Sequence, residues 1–344
     1  MFLFKKIVSS IATVFVLVLG IWFIVVWYGF SYVPMYGKTK TKCTETTVKV
    51  PSGTGIRFLS CCLFKRNLIR NPKILVFLAR FTGSAPLLRA GEYQIVNTTT
   101  PQKLLNEIIT GNTKQRRITF IEGWTFRQVK KALSENPYIQ HTINKLNNRK
   151  IMESLGDNHN PEGLFFPDTY FFTWGETDLQ ILHQAHSRMQ TVLQKIWKKR
   201  SKNLPYKNPY QALIVASLIE KETASPKEYV EISGVILRRL KKSMLLQVDP
   251  TILYGLDFPY SRPITKKDLI APTPYNTYRN HGLPPTPIDM PSYRSIWASV
   301  NPDSGNTLYY VARGDGNHVF SNTYRSHRIA IKKYQQRKND KKSS

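Results

Sequence analysis

Residues 7–30 read IVSSIATVFVLVLGIWFIVVWYGF and carry no charged side chain. Nothing else in the chain constrains its fold as strongly. Rising about 1.5 Å per residue as a helix, the stretch is long enough to cross a bilayer core of roughly 30 Å. Lys5 and Lys6 precede it, which places the N-terminus in the cytoplasm. Trp22, Trp27, Tyr28 and Tyr32 suit the outer interface. A cleaved signal peptide has an apolar core of only about 7–15 residues and a small-x-small cut site. Here the core is longer, and only Gly29-Phe30-Ser31 resembles such a site. The sequence predicts a cytoplasmic segment 1–6 and an uncleaved transmembrane anchor 7–30. All that follows then lies outside the cytoplasm.

The remainder has the composition of a packed protein, with 41% apolar and 12% aromatic residues over the chain. A formal charge of +28 fits nucleic acid, anionic lipid or an acidic polymer equally well. The chain shows no zinc-finger spacing, no aromatic RNA-binding signature and no phosphate-cradling glycine loop, so no nucleic-acid partner is expected. Cys43, Cys61 and Cys62 are too few for a disulfide framework. His183 and His186 share a helical spacing but are too few to hold a metal, and a solvated helix face is expected there.

Two blocks follow the anchor. In residues 44–113, Thr46–Val50 alternates like a strand and ends at Pro51-Ser52-Gly53. Gly55–Cys62 and Asn71–Phe81 read as helices, the second with Asn71 as cap and Pro72 in its first turn. Ala90–Ile95 turns into a second strand. Thr100–Thr110 reads as a helix that Gly111 ends. The second block, 117–335, has four loop-like clusters mixing acids, aromatics, Gly and Pro. These are Glu122–Thr125, EGLFFPDTYFF at 162–172, VDPTILYG at 248–255 and TPYNTYRNHGLPPTPI at 273–288. Such loops carry sites, and they also simply shape turns and fill cores. A basic tail, 336–344, is expected to be disordered.

In the second block, Glu220 ends an apolar run, ALIVASLI. On a helix it shares a face with Leu213, Ala216 and Ser217, while Glu222 lies about 200° further round. A carboxyl on an apolar face has a raised pKa and keeps a proton for general-acid work. Spacing alone equally allows a helix-end Glu paired with a cation.

ASLIEKETA at 216–224, EGLFFPDTY at 162–170, DPTILYGL at 249–256, PYNTYRNHGLPPTPI and the segment 300–327 together resemble the YceG-like family. Its members are membrane-anchored enzymes that cut peptidoglycan strands. The resemblance implies an α+β chain: a transmembrane helix, a small LysM-like subdomain at 44–113 and a larger catalytic domain at 117–335. It makes Glu220 the catalytic acid. Asp168 and Asp249 become possible orienting groups, and Asn276, Tyr278 and His318 possible sugar contacts. Ile121 and Thr273 depart from the family pattern of Pro and Ser. The implied reaction is lytic transglycosylation: one Glu protonates the glycosidic oxygen, and the muramyl 6-hydroxyl then closes a 1,6-anhydro ring. Neither cofactor nor metal is expected. Glycan strands, membrane lipid and peptidoglycan synthases are the implied partners. Two alternatives remain: a water-using muramidase with Asp168 or Asp249 as second carboxylate, or a non-catalytic wall-binding scaffold.

Overall fold

The computed structural model describes residues 11, 13–24, 26, 46–69, 71–96 and 99–336. Residues 13–24 are helical and exposed. Among the described residues no helix is long and apolar enough to cross a membrane. The span expected at 7–30 lies partly outside them, as does most of the tail. Mixed helix and strand, the expected α+β class, is what the chain adopts. It divides into two compact units.

The first unit holds the described residues up to Arg116, together with Phe171–Glu176. Strands β1 (Thr46–Val50) and β2 (Gly91–Ile95) pair antiparallel, with Thr46 opposite Ile95 and Val50 opposite Gly91. Between them lie α1 (Ile56–Lys65) and α2 (Pro72–Phe81), and α3 (Pro101–Thr110) follows. Asn71 caps α2 by accepting from the Lys73 N–H at 2.9 Å, with Pro72 in the first turn. Gly111 ends α3 in the left-handed conformation at φ 74°, where a side chain would be strained. Val48, Leu59, Leu63, Leu75, Tyr93 and Leu104 form the core.

The second unit holds Arg117–Tyr170 and the residues from Thr177 onward. Beyond β3 (Arg116–Thr119) its helices of seven residues or more are α4 (Phe126–Ser134), α5 (Asn148–Ser154), α6 (Asp178–Lys198), α7 (Pro209–Glu222), α8 (Tyr229–Lys241), α9 (Asp249–Gly255), α10 (Tyr293–Val300) and α11 (Tyr324–Ile331). Strand β4 (Thr169–Phe172) precedes α6, and the hairpin β5 (Tyr309–Ala312) to β6 (His318–Ser321) precedes α11. Helix α7 is the axis. Asn208 caps it and Pro209 opens it. Every residue from Ala212 to Ile219 is buried, so the helix is apolar on all sides and must be surrounded. It packs against α6, α8, α9 and, most extensively, α10. Each fully buried Leu or Ile contributes about 1.5–3 kcal/mol. The core thus grips the body of α7 and leaves its last turn, Glu220 to Glu222, half-buried at the edge.

Candidate active site

The last turn of α7 meets the N-terminus of α10. Ser292 caps α10, and its N–H donates to Glu220 Oε2 at 2.9 Å. The Ser295 hydroxyl donates to the same oxygen and sits 2.6 Å from the Ser292 hydroxyl. One turn earlier on α7, Ser217 Oγ accepts from the Ile288 N–H at 3.1 Å. Two side chains on one face of α7 therefore hold the segment 288–292. Glu220 Oε1 is less engaged; the Tyr229 hydroxyl donates to it at 3.5 Å. One carboxyl oxygen is fixed and the other is available to exchange a proton. The apolar setting expected for this carboxyl is a property of the helix body. The carboxyl itself lies among hydroxyls and a backbone N–H, because the last turn projects past the core.

The loop Glu122-Gly123-Trp124 closes over the same turn. Gly123 N–H donates to Met290 O at 2.8 Å, and Met290 N–H to Trp124 O at 2.7 Å. Gly123 has φ 75°, and a Cβ there would stand 3.2 Å from Lys221 Nζ and 3.8 Å from Glu220 Cγ. The Glu122 carboxyl is pushed upward, first by burial and then by the charge of Glu220, with Arg294 opposing. Lys221 Nζ lies 4.1 Å from the Tyr260 ring centre.

Two buried acids face Lys221. Asp289 is fully buried, and neither carboxyl oxygen has a hydrogen-bond partner among the described residues. Burial drives its pKa well up; Lys221 opposes this, and Glu220 and Glu162 add to it. Glu162 accepts from the Phe126 N–H at 2.9 Å and the Tyr254 hydroxyl at 3.0 Å. Burial outweighs both bonds and lifts it to about 7. Glu162 also lines a cavity of about 490 Å³ with Arg127, Lys130, Asn148, Asn160 and Tyr275.

Glu222 points to the other side, as its spacing predicts. Its Oε2 is sealed from solvent and has no partner among the described residues. Burial and then the nearby Asp249 push it to about 8, against a hydrogen bond from Tyr310 and the charge of Arg239. Tyr278 donates its hydroxyl to Asp249 Oδ1 at 2.5 Å. The His318 ring stands edge-on to Tyr310, 5.4 Å between centres. Its Nδ1 lies 2.9 Å from Glu228 Oε2, and its backbone N–H donates to Glu228 Oε1 at 2.7 Å. Glu228 also accepts from Thr223 at 2.9 Å, which fixes the loop leaving α7.

The residues singled out from the sequence thus separate. Asp249 and Tyr278 gather around Glu222, and His318 stands against Tyr310 and Glu228. Asn276 is fully buried, and its amide is spent on Leu269 O, Ala271 O and the Tyr278 N–H, so it shapes the loop and offers no free polar group. Asp168 is exposed, and its carboxylate accepts from the Thr169 N–H at 2.7 Å. Ser292, Ser295 and Asp289 went unnoticed in the sequence, while Glu122 and Glu162 opened two of the loop clusters without being given a role. Ser292 and Ser295 had a legible signal: a Ser-x-x-Ser cap after a Pro-rich loop. His186 corrects the sequence reading. It is buried, its Nε2 lying 3.0 Å from Asp157 Oδ2, whereas a solvated face had been expected. Asp157 is held near 2: burial raises it, but hydrogen bonds with His159 and His186 prevail.

These elements match known proteins along most of the chain. The model of the YceG-like family matches residues 48–333, and the chain belongs to that family. It is 29% identical to the endolytic murein transglycosylase of Bacillus subtilis (strain 168) over 331 residues, covering 89% of this chain and 91% of the relative. It is 26% identical to the protein of that name from Streptococcus pneumoniae serotype 2 (strain D39), covering 88% of this chain but 61% of that longer relative. A crystal structure of a yceG-like protein from Listeria monocytogenes superimposes with a TM-score of 0.55 at 26% identity, covering 84% of this chain and 99% of that one.

Proposed function

We propose that this chain is a membrane-anchored endolytic peptidoglycan transglycosylase, with Glu220 as its one proton-transfer group. The asymmetric hold on the Glu220 carboxyl carries this reading. Ser292 and Ser295 fix Oε2, while Oε1 faces only a long contact to Tyr229. The names of the relatives support the substrate class. Oε1 donates its proton to the glycosidic oxygen between N-acetylmuramic acid and N-acetylglucosamine. The C1–O bond breaks, and the N-acetylglucosamine leaves with a 4-hydroxyl. The Glu220 carboxylate then takes the proton of the muramyl 6-hydroxyl, whose oxygen bonds to C1. No water is consumed and Glu220 ends protonated. The product is a 1,6-anhydromuramyl end, and the reaction terminates elongating strands. Tyr278 and Asp249, paired on the Glu222 side of the turn, contact the glycan away from the reacting pair. Residues 7–30 anchor the chain in the inner membrane, the site lies outside the cytoplasm, 44–113 is LysM-like, and peptidoglycan synthases are the natural partners.

Glu122 favours a second reading. Beyond burial, the charge of Glu220 raises its carboxyl, which places the two acids close together, so a water-using hydrolase would take Glu122 as base or nucleophile. Mass spectrometry of products from purified sacculi separates the two. Anhydro ends are expected, each lighter than a reducing end by one water. Reducing ends, abolished by Glu122→Gln, would establish the hydrolase. No cleavage by the intact protein would leave a binding scaffold.

A further inference from the structure

Helices α1 and α2 each bury one face in the core of the first unit. Their other faces are exposed and aromatic. Phe58 is 63% exposed, Phe64 47%, Phe77 55% and Phe81 56%. A largely apolar groove of about 460 Å³ lies between the helices, lined by Cys61, Pro72, Val76 and Phe77 with cations at its margin. Phe77 and Phe81 stack on each other, 5.8 Å between ring centres, and so large an exposed aromatic area on a folded domain marks an interaction surface.

Charge says what they meet. Residues 46–91 contain eight Lys or Arg and no Asp or Glu. Arg57, Lys65, Lys73 and Arg80, on the same two helices, are all exposed. Rings to enter an acyl boundary, surrounded by cations for phosphates, are the complement of an anionic bilayer surface. Position agrees. The Phe23 ring, on the apolar N-terminal stretch, lies 6.1 Å from that of Phe81. Only residues 31–45 separate the apolar stretch at 7–30 from β1, a reach of roughly 50 Å at full extension.

We propose that the α1–α2 face docks on anionic phospholipid. Phe58, Phe64, Phe77 and Phe81 enter the interface, and Arg57, Lys65, Lys73 and Arg80 meet the headgroups. The inference rests on the anchoring reading for the nearness of lipid. Docking would hold the first unit flat on the membrane and fix its height there.

Cys61, exposed in the groove, provides the probe. The full-length protein with Cys43→Ser and Cys62→Ser is labelled with bimane at Cys61 and reconstituted into phosphatidylglycerol-rich vesicles holding nitroxide-labelled phospholipid. A second sample carries the label at Asn106→Cys on α3, with Cys61→Ser added. Quenching of about half the emission or more is expected at Cys61, little at position 106, and less at Cys61 in phosphatidylcholine. Phe58→Ser with Phe77→Ser should relieve it. No quenching at Cys61, or equal quenching at both positions, overturns the proposal. So does emission at Cys61 that follows protein concentration and ignores lipid, which marks a second copy on the face. Carbonate washing tests the anchor separately. A chain that washes off refutes the anchor, while the docking surface is judged by Cys61 alone.

Discussion

Glu220 and Glu222 are two residues apart on one helix turn, yet they occupy different chemical worlds. Glu220 has one oxygen fixed by a helix cap and the other left to a single long contact. Glu222 has a sealed oxygen with no partner among the described residues and a carboxyl lifted to about 8, chiefly by burial. In the proposed reaction the first hands a proton on. The second is arranged to keep one. Residue type and neighbourhood in sequence are the same. What separates them is the roughly 200° of helical rotation, which turns one toward α10 and the other toward Asp249 and Tyr310.

The sharpest way to break this contrast is to exchange the severities. Glu220→Gln keeps the shape and removes the transferable proton, so cleavage of soluble glycan strands should fall by about 10²–10⁴-fold. Circular dichroism and melting temperature should stay near those of the parent. If Glu220→Gln kept more than about a tenth of the rate while Glu222→Gln lost it, the two roles would be reversed.

The cap comes next. Ser295→Ala removes one donor to Glu220 Oε2 and leaves the Ser292 N–H in place. A hydrogen bond to a charged group is worth about 1.5–3 kcal/mol, so a rate loss of roughly ten- to a hundredfold is expected. The loss should fall in kcat, with KM little changed, because the serine touches the acid and not the sugar. A change confined to KM would place Ser295 among substrate contacts.

Gly123→Ala asks whether the covering loop must lie close. At φ 75° a Cβ is strained by about 1–2 kcal/mol. It would also press on Lys221 Nζ at 3.2 Å, which a flexible side chain can yield. A fall of several degrees in melting temperature is expected, with a rate loss smaller than that of Ser295→Ala. An unchanged melting temperature would show that the loop relaxes freely.

How much of this was legible beforehand differs by distance along the chain. The first unit is built from local signals, a Pro after an Asn cap or a Gly after an apolar helix, and its two strands and three helices fall where those residues put them. The direction of Glu222 away from Glu220 was likewise a matter of helix geometry. What the sequence hid is long-range. The donors to Glu220 Oε2 come from 72 and 75 positions away, and Glu162 meets Tyr254 across 92. No periodicity reports such meetings. The burial of His186 was missed for the same reason: its partner Asp157 is 29 positions back, on a loop that spacing alone leaves unplaced. Asn276 looked like a sugar ligand because Asn in a loop offers donors and acceptors. Its burial shows that the loop itself consumes them.

The smallest expected effect concerns stability. Glu222 has an ordinary value of 4.5 when unfolded and about 8 in the fold. Between those values the native state holds the proton that the unfolded state has released. Stability from this group is therefore complete below about 4.5, declines as pH rises, and is lost once pH passes about 8. Glu162, lifted to about 7, and Asp289 add declines of the same sign, so the slope of the parent protein alone identifies no residue. The difference between two proteins does. Glu222→Gln removes one ionisation and keeps the side chain's volume, so its melting temperature should decline less from pH 5 to pH 8. The two curves should approach or cross toward the alkaline end, where the parent carries a buried charge and the variant none. Cleavage near neutral pH should change far less than in Ser295→Ala. Parallel melting curves would mean that Glu222 reaches solvent in the native state, and the contrast with Glu220 would then rest on the hydrogen bonds of Glu220 alone.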